Sequence, residues 1–110
     1  MNHETLKKMI TTSAENVKAQ REALFLAAGG AIAAKQELDD ARLALLVSGS
    51  IDGKNAEIRE AQMAEFLKPK TEALRAAEKQ ERAARHKFDQ AQTDYEAAKY
   101  LIRLVEASHE

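Results

Sequence analysis

From Leu6 onward, positions spaced alternately by four and three residues form one series: Leu6, Ile10, Ser13, Val17, Gln20, Leu24, Ala27, Ala31, Ala34, Leu38, Ala41 and Leu45. Ten of these twelve positions are apolar, which marks a heptad seam. The a positions are Ile10, Val17, Leu24, Ala31, Leu38 and Leu45, while the d positions shrink from Leu6 to Ala27, Ala34 and Ala41, with polar Ser13 and Gln20 between. A second series runs through Glu60, Met63, Leu67, Lys70, Leu74, Ala77, Glu81, Ala84, Phe88, Ala91, Tyr95, Ala98, Ile102 and Val105. Bulky residues again fall mostly at a and alanines at d. In an antiparallel pair a faces d′, so large meets small and the two backbones can approach closely.

Between the two series lies Ser48-Gly49-Ser50-Ile51-Asp52-Gly53-Lys54-Asn55, where turn-forming residues crowd together. Gly49 is suited to end a first helix in a left-handed conformation. Asn55 is suited to cap the second helix, with Glu57 in its first turn. Arg59 is placed to reach back to Asp52 or to the carbonyls that end the first helix. The expected fold is all-α: an antiparallel two-helix coiled-coil hairpin with a turn at 48–55, helix 1 over about 4–47 and helix 2 over about 56–108. A register centred near Ile51 sets Leu38 near Met63, Ala34 near Leu67, Ala27 near Leu74, and polar Gln20 near polar Glu81. The i,i+4 pairs Glu78–Arg82 and Glu81–Arg85 favour helix.

Two places interrupt the helical pattern. Gly29-Gly30 costs about 2 kcal/mol of helix propensity relative to alanine, and Pro69 removes the bond to Glu65 and is expected to kink its helix. The glycines suit either a bend or the close packing of a neighbouring helix. A four-helix domain broken at both places is the rival architecture. The heptad phase runs unshifted through both, which favours two continuous helices.

The 110 residues make one helical domain at most. The apolar fraction is 45%, but 22 of those residues are alanines, so a two-helix core is thin and oligomerisation into a helical bundle is the expected remedy. The segment Ala23–Ala34 is apolar all the way round, and a hairpin covers only one side of it. Phe25, Leu26, Gly29, Gly30 and Ile32 are therefore the expected oligomer or partner interface, with Leu101, Leu104 and Val105 overhanging the pairing at the C-terminal end. Leu43, Leu46 and Val47 extend the apolar excess near the turn.

Formal net charge is −1, so no global field selects an anionic partner. Lys68, Lys70, Arg75, Lys79, Arg82, Arg85 and Lys87 form a local basic excess that could contact phosphates. No aromatic residue is interleaved except Phe88, which falls in the seam, so base stacking is not expected. With no cysteine there is no disulfide, thiol catalysis or cysteine-ligated zinc, in keeping with a reducing cytoplasm. His3, His86 and His109 are scattered, and His86 with Asp89 or Gln90 makes no metal site. There is no nucleophile–base pair and no phosphate-binding glycine loop, so neither an enzyme nor a cofactor or small-molecule substrate is expected. No signal peptide is expected from Met-Asn-His-Glu-Thr-Leu-Lys-Lys. The longest apolar run, 12 residues, is too short to span a bilayer, and no membrane partner is expected.

The segment Gly53-Lys54-Asn55-Ala56-Glu57-Ile58-Arg59-Glu60-Ala61-Gln62, followed by a long Ala/Glu/Arg helix, resembles small uncharacterised coiled-coil proteins of tailed bacteriophages and prophages. The resemblance covers about a tenth of the chain and the hairpin layout, and it implies no activity. What it implies is an accessory protein in the host cytoplasm. Three functions remain open: a self-associating hairpin that binds a protein target, an accessory nucleic-acid-binding protein of phage DNA metabolism using the basic 68–87 segment, or an assembly scaffold.

Overall fold

The computed structural model describes residues 2–108. Two helices, α1 over His3–Ser48 and α2 over Ala56–Ser108, account for nearly all of them, and no strand occurs among the described residues. Both run unbroken through their interruptions, α1 through Gly29-Gly30 and α2 through Pro69. The four-helix alternative is thereby excluded. Asn2 starts α1: its side-chain Oδ1 accepts from the Thr5 N–H at 2.7 Å, which satisfies one of the donors every helix leaves open at its start. Among the described residues, no helix is long and apolar enough to cross a membrane.

The chain divides into two compact units. In the terminal unit, the chain up to Leu26 packs with the chain from Arg82 onward; the turn unit is Ala27–Glu81. In both, the seam read from the 4-3 repeat is the face turned inward. All twelve α1 seam positions are buried or half-buried, Gln20 included. The terminal unit closes on Leu6, Ala91 and Ala98, and the turn unit on Ala31, Leu38 and Leu67. Half of these buried residues are alanines, so each unit removes little apolar area from water for its length.

Along α2, the seam departs from expectation at Glu60 and Lys70, which are exposed. At the second, Thr71 turns inward as a half-buried residue, while Lys70 donates to Glu37 Oε2 on α1 at 3.4 Å. An ammonium keeps its charge in water at the edge of the seam far more cheaply than inside it.

The register differs from the expected one. Centring on Ile51 would set Ala64 beside Glu37 and Gln80 beside Arg21. Instead Glu37 meets Lys70 in the turn unit, and in the terminal unit the Arg21 guanidinium lies over the Phe88 ring, 5.8 Å from its centroid. Each unit is thus displaced about one heptad along α2. In the terminal unit the Gln20 amide donates to Asn16 Oδ1 within its own helix, at 3.2 Å.

The turn supplies the physical reason. The 49–53 segment does not bridge two level helix ends; it runs back along the first turns of α2. Gly49 leaves α1 with φ of 74°, as a left-handed cap requires. Further on, the Gly53 N–H donates to Gln62 Oε1 at 2.8 Å, and Gln62 Nε2 donates to Asp52 Oδ1 at 2.9 Å. Arg59 Nη1 donates to the Gly53 carbonyl at 3.1 Å, so this arginine reaches the turn's own backbone and not the end of α1. Asn55 caps α2 as expected, its Oδ1 accepting from the Ile58 N–H at 2.9 Å. Ile51, half-buried, lines a cleft with Arg42, Leu46, Arg59 and Met63.

Gly53 has no room for a side chain. A Cβ there would stand 2.6 Å from Ile58 Cγ2 and 3.0 Å from the Arg59 backbone nitrogen, neither of which can yield freely. Gly53→Ala should therefore lower the unfolding free energy by about 1–3 kcal/mol in urea denaturation. Asn55→Ala should cost about 1 kcal/mol by the same measurement, and an unchanged midpoint would remove the cap from this account.

Candidate interaction surface

A seam on one side of α1 leaves the opposite side without a partner in the chain, and there the sequence has placed large apolar residues. In the terminal unit, Phe25 and Leu26 are 75% and 67% exposed. In the turn unit, Ile32 and Val47 are 70% and 79% exposed, and Leu43 and Leu46 are also open to solvent. Gly29 and Gly30 lie exposed in the turn unit as well, and a Cβ built on either would meet nothing within 4 Å. No close packing inside the chain explains them.

The C-terminal members of the expected interface behave differently. Val105 does not overhang the pairing: it lines a cleft of about 690 Å³ in the terminal unit with Leu6, Ile10 and Ile102. Leu101 is half-buried, and Leu104 is exposed. The one-heptad displacement is the cause, because it carries the end of α2 back onto the start of α1. Of the three, Leu104 alone is left as an outward apolar residue.

The basic segment divides between the units. Lys68, Lys70, Arg75 and Lys79 belong to the turn unit, and Arg82, Arg85 and Lys87 to the terminal unit. Lys68, Arg75 and Lys79 are exposed, whereas Lys70 is engaged with Glu37. At 3.6 residues per turn, Lys68, Arg75 and Lys79 share one outward face of α2, and Lys70 lies apart from them beside the seam. Among the described residues, no three His, Asp or Glu side chains are grouped so as to hold a metal ion. His3 and His86 are exposed, and His109 lies outside the described residues.

Phe66, exposed on α2 of the turn unit, is an apolar residue that the sequence reading passed over. The signal was present, since Phe66 precedes seam residue Leu67 and stands outside the 4-3 series. Together with Pro69 it borders an apolar groove of about 430 Å³ whose α1 wall includes Ala41, Ala44 and Leu45. Gln62 was passed over too; a polar residue one place ahead of the seam carries no pattern that marks it as a clasp.

No family model, curated protein or solved structure matches this chain.

Because both glycines face open space, Gly29→Ala with Gly30→Ala should raise the unfolding free energy of the isolated chain by about 1.5–2 kcal/mol. Thermal unfolding at the lowest workable protein concentration measures this. A loss of stability there would show that the glycines are needed by the fold of the single chain.

Proposed function

We propose that this chain is a non-enzymatic, self-associating helical hairpin that acts by binding another macromolecule, a protein target, as an accessory protein of a phage or prophage. The observation that carries the reading is the exposure of large apolar side chains on α1 away from its seam, Phe25 in the terminal unit and Ile32, Leu43 and Val47 in the turn unit. Large apolar side chains gathered on one side of an element mark a surface that another protein covers. The open glycines Gly29 and Gly30 support it, since a backbone without side chains lets a second helix approach closely. The thin core supports it from the side of stability, because small scaffolds commonly gain by association what their own core lacks. The phage setting rests on the resemblance of the segment from Gly53 to Gln62.

Light scattering on the wild type and on Phe25→Asp with Ile32→Asp tests the reading. The wild type should be a dimer or larger at tens of micromolar, and the double variant should be monomeric with its helicity unchanged. A monomeric wild type would remove self-association. Salt-dependent retention of the wild type on DNA, lost in Lys68→Glu with Arg75→Glu, would instead make the basic segment the working surface.

A further inference from the structure

We propose that Asp52-Gly53 is a site of spontaneous backbone modification, succinimide formation leading to isoaspartate, and that the Gln62 side chain is what keeps it closed. Of the aspartates in the chain, Asp52 alone is followed by glycine. Glycine has no side chain to hinder its nitrogen as that nitrogen approaches the neighbouring carboxyl carbon. Asp39, Asp40, Asp89 and Asp94 lie inside α1 and α2, where the next N–H is committed to a helical bond. Asp52 lies between the helices, where no helical bond protects it.

The step needs no reagent but water. The Gly53 nitrogen attacks Asp52 Cγ and a C–N bond forms. One carboxyl oxygen leaves as water, taking the carboxyl proton and the N–H proton. Water then opens the ring at either carbonyl. Opening at Cγ restores aspartate, and opening at the main-chain carbonyl leaves the chain joined through Cγ as isoaspartate. The product has the same mass, with one carbon more in the main chain.

In the folded turn, one amide engages both reacting groups. The attacking nitrogen has its proton on Gln62 Oε1 at 2.8 Å, and the carboxyl that must lose an oxygen is held by Gln62 Nε2 at 2.9 Å. Arg59 Nη1 holds the Gly53 carbonyl at 3.1 Å. The glycine cannot shift to escape them, because Ile58 Cγ2 and the Arg59 backbone nitrogen already crowd its Cα. Closing the ring swings the peptide between Asp52 and Gly53 and so breaks these bonds. Reaction therefore proceeds through the opened turn, in proportion to its population. The lengthened product no longer seats Ile51 and Gly53 together, so a turn that has opened and reacted stays altered.

Trypsin cuts after Arg42 and Lys54, so the 43–54 peptide carries Asp52 as its one aspartate, and the 36–42 peptide carries Asp39 and Asp40 as helical controls. Wild type, Gln62→Met and Leu6→Ala are incubated in warm, mildly acidic buffer beside a synthetic 43–54 peptide. Isoaspartate is read by chromatography and electron-transfer fragmentation. Methionine keeps the length and helix propensity of glutamine but has no amide. Leu6→Ala loosens the core of the terminal unit and leaves the turn as it is. Wild type should convert at least about tenfold more slowly than the free peptide, a factor equal to near 1.4 kcal/mol of closure. Gln62→Met should recover most of that factor and outpace Leu6→Ala, although its urea midpoint is the higher of the two. The 36–42 peptide should stay unchanged throughout. A wild type as fast as the free peptide, or a Gln62→Met no faster than wild type, would overturn the proposal. So would a Leu6→Ala as fast as Gln62→Met, because global unfolding and not the turn would then set the rate.

Discussion

An alanine-lined seam is the constraint on which the rest of this molecule depends. Small residues opposite large ones let two helices lie close, and the price is a shallow interior: Ala31, Ala91 and Ala98 make up half of what is buried. Lining the seam with alanines also concentrates the remaining large apolar residues elsewhere. Phe25 in the terminal unit, and Ile32, Leu43 and Val47 in the turn unit, are turned away from it. The same economy that draws the helices together leaves one side of α1 uncovered, and the functional reading follows from that imbalance.

Polar chemistry in the structure is peripheral and local. Lys70 leaves the seam for Glu37, Arg21 lies over the Phe88 ring, and the Lys99 ammonium stands 5.0 Å from the centroid of the Tyr95 ring. Each keeps a charge at the edge of an apolar strip where water still reaches it, so none is worth more than a modest surface interaction. They shape the sides of the hairpin but do not hold it. What holds it is the seam and the turn, and the two contribute different things: area from the first, position from the second.

The 4-3 pattern made the seam legible in the sequence to the residue on α1, because burial on one face of a helix leaves no other spacing. The caps at Gly49 and Asn55 were legible as well, since their conformations demand those residue types. The register was not. A heptad pattern is unchanged by sliding one heptad, so Leu38 opposite Met63 and Leu38 opposite Lys70 read alike in the repeat. The choice between them lies in Gln62, whose contacts span the turn and follow no period. The outward side of α1 was legible from the apolar stretch at Ala23–Ala34. The place of Val105 was not, because it depended on the register.

The clasp at the turn has a consequence for how this hairpin goes wrong. A chain zipped one heptad out of place still sets large against small along its seam. What it forfeits at the turn is the set of bonds joining Gly53 and Asp52 to Gln62 and Gly53 to Arg59, together with the seat of Ile51. Native and nearest misfolded states are therefore separated by these contacts at the turn and by the seat of Val105 beside Leu6 and Ile10 in the terminal unit. Sliding, more than unravelling, is the failure this sequence has to guard against, and a few residues at the turn are the ratchet that prevents it.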